Sequence, residues 1–413
     1  MTIFSFLIIA CLLLLNFYLY KKNFISKNLF YISTSFIVLY IIIAISVFYN
    51  NIANDFSTGI LFGDVENNHF CDEYKYNIDS QILLNHFKNG EFSQWLHKEL
   101  PLYEFVDPQG HPSYGNYNIF VIMLTLLRMI GVNSPLDFIL IKLFIYIPTY
   151  IYLFKLSKIY LNEKLSLISV ALFSILPGYI LTNSLLMRDN IILFLMIVAL
   201  YYILSKNYNF KILIPILILL LFFRSYLIPI FIATIIFTYK NNKKIISVLD
   251  FIYIGIIIGT IYFFTNYNFN LEHSNIFFSF YQIQALQDNF VAWYGTGIPM
   301  LLKLFFLTAI QIILDPLFIN FLSSGLIYLW LTSVGNIIGI FVSISFSIIF
   351  LVLCFTNKDS KIKHLQKFTF YFTLLNALLL MSKDSYIINR LALMWLPLFI
   401  IILLIPFNRK RTS

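Results

Sequence analysis

Between residues 50 and 117 the chain gathers ten acids, Asp55, Asp64, Glu66, Asp72, Glu73, Asp79, Glu91, Glu99, Glu104 and Asp107, against three bases, Lys75, Lys88 and Lys98. Most other ions are loop lysines, but Arg188-Asp189, Arg224, Lys303, Lys383-Asp384 and Arg390 border long apolar runs. Charges at the edge of hydrocarbon are costly, and those that persist face one another or a water-filled cavity. A polar cavity rimmed by carboxylates and cations suits one chemistry well. A carboxylate takes the proton from an acceptor hydroxyl, or orients an acceptor amine, while Arg, Lys or a metal ion stabilises a departing phosphate. Transfer of a sugar from a lipid phosphate needs both, with a groove between helices for the lipid tail. No Cys/His cluster with zinc spacing, phosphate-binding glycine loop or dinucleotide fingerprint competes with this reading. Composition alone also admits a transporter.

The elements that must carry these residues are set by composition. The 413 residues are 60% hydrophobic and only 11% charged, with a mean hydropathy of +0.83. Soluble domains carry roughly 25% charged residues, so a soluble fold, a disordered chain and a DNA-binding domain are excluded. The net charge of +9 therefore reports loop placement and not a nucleic-acid partner. Six basic clusters, Lys21/Lys22/Lys27, Lys155/Lys158/Lys164, Lys206/Lys211, Lys240/Lys243/Lys244, Lys358/Lys361/Lys363/Lys367 and Arg409/Lys410/Arg411, hold 18 of the 28 Lys and Arg residues. Placing all six in the cytoplasm orients the chain with its N-terminus outside.

The expected fold is all-α and polytopic, with thirteen transmembrane helices (eleven at the least), over residues 3–20, 28–49, 136–154, 165–183, 190–205, 211–223, 226–239, 245–265, 300–314, 316–331, 335–355, 366–382 and 391–406. Residues 1–20 lack a charged leader and a small-residue cleavage site, and read as a retained first span. Residues 117–131 are apolar enough to be counted as a further span. If they crossed, the later basic clusters would fall outside, so they read as an interfacial helix with Arg128 at the surface. The whole of 1–413 is then a single membrane domain, with outer loops at 50–135, containing juxtamembrane helices, and at 266–299. Cys11, Cys71 and Cys354 form no disulfide framework. Abundant Phe, Ile, Tyr, Asn and Lys fit an AT-rich bacterial source, and hence a multi-pass protein of the bacterial cytoplasmic membrane.

Asp72-Glu73-Tyr74-Lys75-Tyr76 opens the first outer loop and runs into a helix ending near Gly90; helical spacing puts Asp72, Tyr76 and Asp79 on one face. His111-Pro112 precedes the interfacial segment, Arg188-Asp189 follows the next pair of spans, Arg224-Ser225 breaks two short spans, and residues 382–397 form a small-to-basic turn leading to Pro397. In this order the chain resembles the C-type (GT-C) membrane glycosyltransferases, especially the branch of lipid A aminoarabinose transferases and protein O-mannosyltransferases, over about residues 60–400. It departs from them in its extra leading span and in having no large soluble C-terminal domain.

The resemblance implies an enzyme that passes a sugar from an undecaprenyl-type phosphate or diphosphate donor to a cell-envelope glycan or lipid acceptor. Asp72 would activate the acceptor, with Asp64, which lies nearer a span, as the rival base and Glu73 as a neighbour that tunes it or binds metal. Asp189 would order the site or hold a metal. Arg188, Arg224, Lys383 and Arg390 are the candidates for the donor phosphate, and Tyr76, His111, Trp293 and Tyr294 for acceptor or sugar. No motif demands a cofactor; a divalent metal ion is the one these acids would accommodate. The partners are the lipid-linked donor, the acceptor and membrane lipid, without nucleic acid. Two rivals stand beside this reading: a repeat-unit polymerase of O-antigen or capsule, and a flippase or transporter of lipid-linked sugars, whose internal repeat and mid-membrane charges are missing here apart from Lys142 and Asp250.

Overall fold

A computed structural model describes residues 1–61, 71–107, 110, 112–205, 209–224, 227–239, 326–357, 359–380 and 393–408. Among the described residues the structure is helical, with one isolated bridge between Val106 and Pro112 and no strand. The helices are α1 (Ile3–Lys21), α2 (Lys27–Ala53), α3 (Asp72–Lys88), α4 (Phe92–Leu96), α5 (Ile119–Met129), α6 (Pro135–Lys142), α7 (Tyr146–Lys158), α8 (Glu163–Ser174), α9 (Pro177–Ser184), α10 (Asp189–Leu204), α11 (Phe210–Phe223), α12 (Leu227–Tyr239), α13 (Ile327–Thr356), α14 (Ser360–Leu380) and α15 (Leu396–Leu404).

Among the described residues, four helical stretches are long and apolar enough to cross a membrane: α1, α2, the continuous run Pro135–Lys158, and Ile337–Thr356 within α13. The α8–α9 pair makes a fifth if it is one span bent by 60°. The expected 165–183 span is thus broken, because Pro177 at the start of α9 carries no N–H and forces a new helix start. Among the described residues the structure supports these spans and not the full thirteen; α10, α11, α12 and α15 are shorter apolar helices. Expected spans 245–265 and 300–314, and most of 316–331, lie outside the described residues.

The 117–131 segment forms α5, whose 11 residues rise about 16 Å, well short of the ~30 Å of hydrocarbon. Asn118 caps it, accepting from Phe120 and Val121 N–H. Arg128 is not at the surface as expected. It is buried against α3, donating from Nε to Ser80 Oγ at 2.9 Å and from Nη2 to Asn77 Oδ1 at 2.6 Å, with its guanidinium 4.9 Å from the Phe138 ring centre. The α3 face carrying Asn77 and Ser80 is polar, and an arginine is the side chain long enough to satisfy it across the helix pair.

The described residues fall into two compact units. The first, within Met1–Phe154, Val170–Ala199 and Asn320–Thr332, packs α1 on α2 and α6, α2 on α9, and α3 on α5. Apolar helices gain little from hydrophobic burial against lipid, so buried polar side chains join them. Asn16 donates to Ser33 and Thr34 across α1 and α2 and accepts from Tyr150 at 2.5 Å. Tyr40 donates to the Ser174 carbonyl at 2.6 Å and packs edge-on to Tyr146 and Tyr179. Thr2 and Ser5, which close the first turn of α1, both donate to the buried carboxylate of Asp137. In the second unit α12 packs on α14, with Phe231 against Phe372 and Phe237 against Tyr371.

Candidate functional site

Three backbone segments of the first unit meet at the start of α3. They are the first turns of α3 itself, the 113–115 turn before α5, and the short link 185–188 between α9 and α10.

Asp72 and Glu73 occupy the first turn of α3, where unpaired N–H groups and the helix dipole favour negative charge. The two carboxylates point to different tasks. Asp72 is partly exposed and accepts the Tyr114 hydroxyl at 2.5 Å. Glu73 is fully buried; one oxygen accepts the Leu61 N–H at 3.1 Å and the other the Leu186 N–H. Burial pushes the Glu73 carboxyl up to about 7, opposed by those two amides and by Lys142. Its two backbone bonds tie α3 to Leu61 and to the 185–188 link.

Lys142, at the C-terminal end of α6, secures the same link. Its ammonium donates to the carbonyls of Thr182 and Met187 at 2.8 Å each, and to that of Leu185. Those carbonyls lie at and beyond the end of α9, where a helix leaves its last C=O groups without intrahelical partners. Leu185 and Met187 pack with Val47 and Leu61 into a small apolar cluster beneath. Arg188 and Asp189 are held by this clamp.

The Arg188 guanidinium lies 5.4 Å from the centre of the Tyr114 ring and 5.9 Å from that of Tyr76. The two rings are stacked, 4.1 Å apart at 11°, and Phe120 meets Tyr76 edge-on at 4.9 Å. Burial alone would lower the Arg188 value, but Tyr76, Tyr114, Asp189 and Asp72 together raise it above the ordinary range. Arg188 is thus a fixed cation between an aromatic platform and two carboxylates. Burial, with Asp72 beside it, holds the Tyr114 phenol well above its usual value, so it is a standing hydrogen-bond donor.

Asp79 holds the 113–115 turn. Its carboxylate accepts Ser113 Oγ at 2.6 Å, Tyr114 N–H at 2.8 Å and Gly115 N–H at 2.9 Å. Gly115 has φ +75°, and a Cβ there would stand 1.9 Å from the Leu102 carbonyl oxygen, so only glycine fits. Lys75 and Asp107 form a buried ion pair at 3.1 Å that ties the 101–107 segment to α3.

Of the residues singled out in the sequence, Asp72, Glu73, Tyr76, Arg188 and Asp189 are brought together. Tyr76 is buried under its stacked partner, as part of the platform. Arg224 belongs to the second unit, where its guanidinium is buried and its Nη1 lies 4.0 Å from Met394 Sδ. Asp64, His111, Trp293, Tyr294, Lys383 and Arg390 lie outside the described residues. Sequence reasoning missed Tyr114 and did not use Lys142. A signal for Lys142 was present, since an ammonium deep in an apolar run needs partners; nothing local marks Tyr114. Among the described residues no group of three or more His, Cys, Asp or Glu is arranged to hold a metal ion.

The arrangement can accept a proton at Asp72 and hold an anion at Arg188, on one rigid aromatic support. No family model matches the chain, and no curated protein or solved structure matches it significantly.

Proposed function

We propose that the chain is an integral-membrane glycosyltransferase of the bacterial cell envelope. It takes a sugar from a polyprenyl-phosphate or diphosphate donor at the outer face of the cytoplasmic membrane and passes it to a glycan or lipid acceptor. The observation that carries this reading is the convergence of a partly exposed carboxylate, Asp72, and a charged guanidinium, Arg188, on the same tyrosine, Tyr114.

Asp72 removes the proton from the acceptor hydroxyl as that oxygen bonds to the anomeric carbon. The bond from that carbon to the phosphate oxygen breaks, its electron pair leaves with the phosphate, and Arg188 balances the charge that develops there. Attack opposite the leaving group inverts the anomeric centre. Asp189 keeps Arg188 in place.

The test is deletion of the gene in its host, with complementation by wild type, Asp72→Asn and Asp64→Asn at equal protein levels, and mass profiling of envelope glycans and lipid-linked sugars. The expected outcome is loss of one sugar decoration on deletion, restored by wild type and not by Asp72→Asn. Unchanged glycans on deletion, or full restoration by both variants, would sink the reading. Loss of a polymer ladder would instead identify the repeat-unit polymerase, and accumulation of an intact lipid-linked sugar on the inner leaflet the flippase.

A further inference from the structure

Asp72 begins a helix, and the first turn of a helix is its least constrained part. Its N-cap, Cys71, makes no side-chain capping bond. A carboxylate in that position has several accessible rotamers, whereas proton abstraction requires one orientation held toward the acceptor. One restraint comes from 42 residues away. Tyr114 is fixed at its backbone, where Asp79 accepts its N–H at 2.8 Å and that of Gly115 at 2.9 Å. It is fixed at its ring, stacked 4.1 Å from Tyr76, which Phe120 supports from the edge. Only its hydroxyl is left to act, and that donates to Asp72 Oδ1 at 2.5 Å.

From this geometry we infer that Tyr114 is a positioning residue for Asp72: a rigidly mounted phenol that sets the plane of the carboxylate, while the Arg188 guanidinium lies beside the same ring, 5.4 Å from its centre. A single side chain then sets the relative position of the groups that act on the acceptor proton and on the leaving phosphate. This inference rests on the glycosyltransferase reading for its role in transfer, but the hydrogen bond itself can be tested without it.

Two measurements on the full-length protein separate the cases. In the first, 3-fluorotyrosine is placed at position 114 by site-specific incorporation and its fluorine resonance recorded in detergent. The signal moves on Asp72→Asn and stays on Asp359→Asn, an exposed acid of the second unit. No movement on Asp72→Asn overturns the inference, whatever the fate of the enzymatic reading. The near-isosteric fluorine keeps this measurement available even where a larger change fails to fold. In the second, Tyr114→Phe, which keeps the stacked ring, replaces wild type in the complementation assay. Removing a hydrogen bond to a charged group lowers sugar transfer about tenfold or more. Full transfer by Tyr114→Phe with Asp72→Asn inactive overturns the positioning role and leaves the base reading standing. Full transfer by Asp72→Asn overturns the base reading, and the fluorine shift then decides the hydrogen bond alone.

Discussion

Glu73 and Lys142 grip one short stretch of backbone by its opposite polar groups. Glu73 accepts the Leu186 N–H, while Lys142 donates to the carbonyls of Thr182, Leu185 and Met187. Their joint effect is to fix the link from which Arg188 and Asp189 project.

Lys142→Met leaves three buried carbonyls without their donor. Leaving buried polar groups unsatisfied costs about 1–3 kcal/mol each at most, read as a lowered thermal midpoint in detergent. Glu73→Gln combined with Lys142→Met should cost less than the two single losses added together, since the residues share one segment. Strict additivity would show that they act independently.

Stability should fall with rising pH through the Glu73 transition. Its folded value is about 7 against an ordinary 4.5, so between these limits the folded state keeps a proton that the unfolded state has released. The contribution is fully present below pH ~4.5 and lost as pH passes about 7, on the order of 3 kcal/mol in all. Thermal midpoints from pH 4.5 to 8 measure it. Glu73→Gln should flatten the profile, and an equally steep profile in that variant would assign the slope to another group.

Gly115→Ala forces a Cβ into the Leu102 carbonyl at a left-handed backbone position. The turn must shift, at a cost of about 2–4 kcal/mol, and the Tyr114 hydroxyl moves with it. Both the thermal midpoint and glycan transfer should drop. A variant as stable and active as wild type would mean that the turn is not needed in this form.

Arg188→Lys keeps the charge but loses the guanidinium beside the Tyr114 ring and, on the proposed function, the bidentate geometry that suits a phosphate. Transfer in the complementation assay should fall about tenfold, and further for Arg188→Ala. If Arg188→Ala retained wild-type transfer, the phosphate would be bound elsewhere.

What the sequence made legible follows from the range of each interaction. Helical runs are local, and α1, α2 and the Pro135–Lys158 stretch coincide with their expected spans to within a few residues. The Asp72-Glu73 pair was visible as a motif because both residues are adjacent and acidic. What Glu73 holds was not visible, because it depends on Leu61 and on Leu186, which lies 113 residues away. Arg128 went astray for the same reason: an apolar helix carrying one arginine gives no sign that Asn77 and Ser80 on another helix are waiting for it. Tyr114 was one tyrosine among 28, and its contact with Asp72 has no sequence signature.

The break at Pro177 has an electrostatic consequence. Because α9 begins afresh there and ends after 8 residues, the negative pole of its peptide dipoles is brought to the Lys142 ammonium instead of to water. The helix and the lysine neutralise each other. The positive charge of Arg188, a few residues beyond, is not needed at that helix end and stands instead beside Tyr76, Tyr114, Asp72 and Asp189.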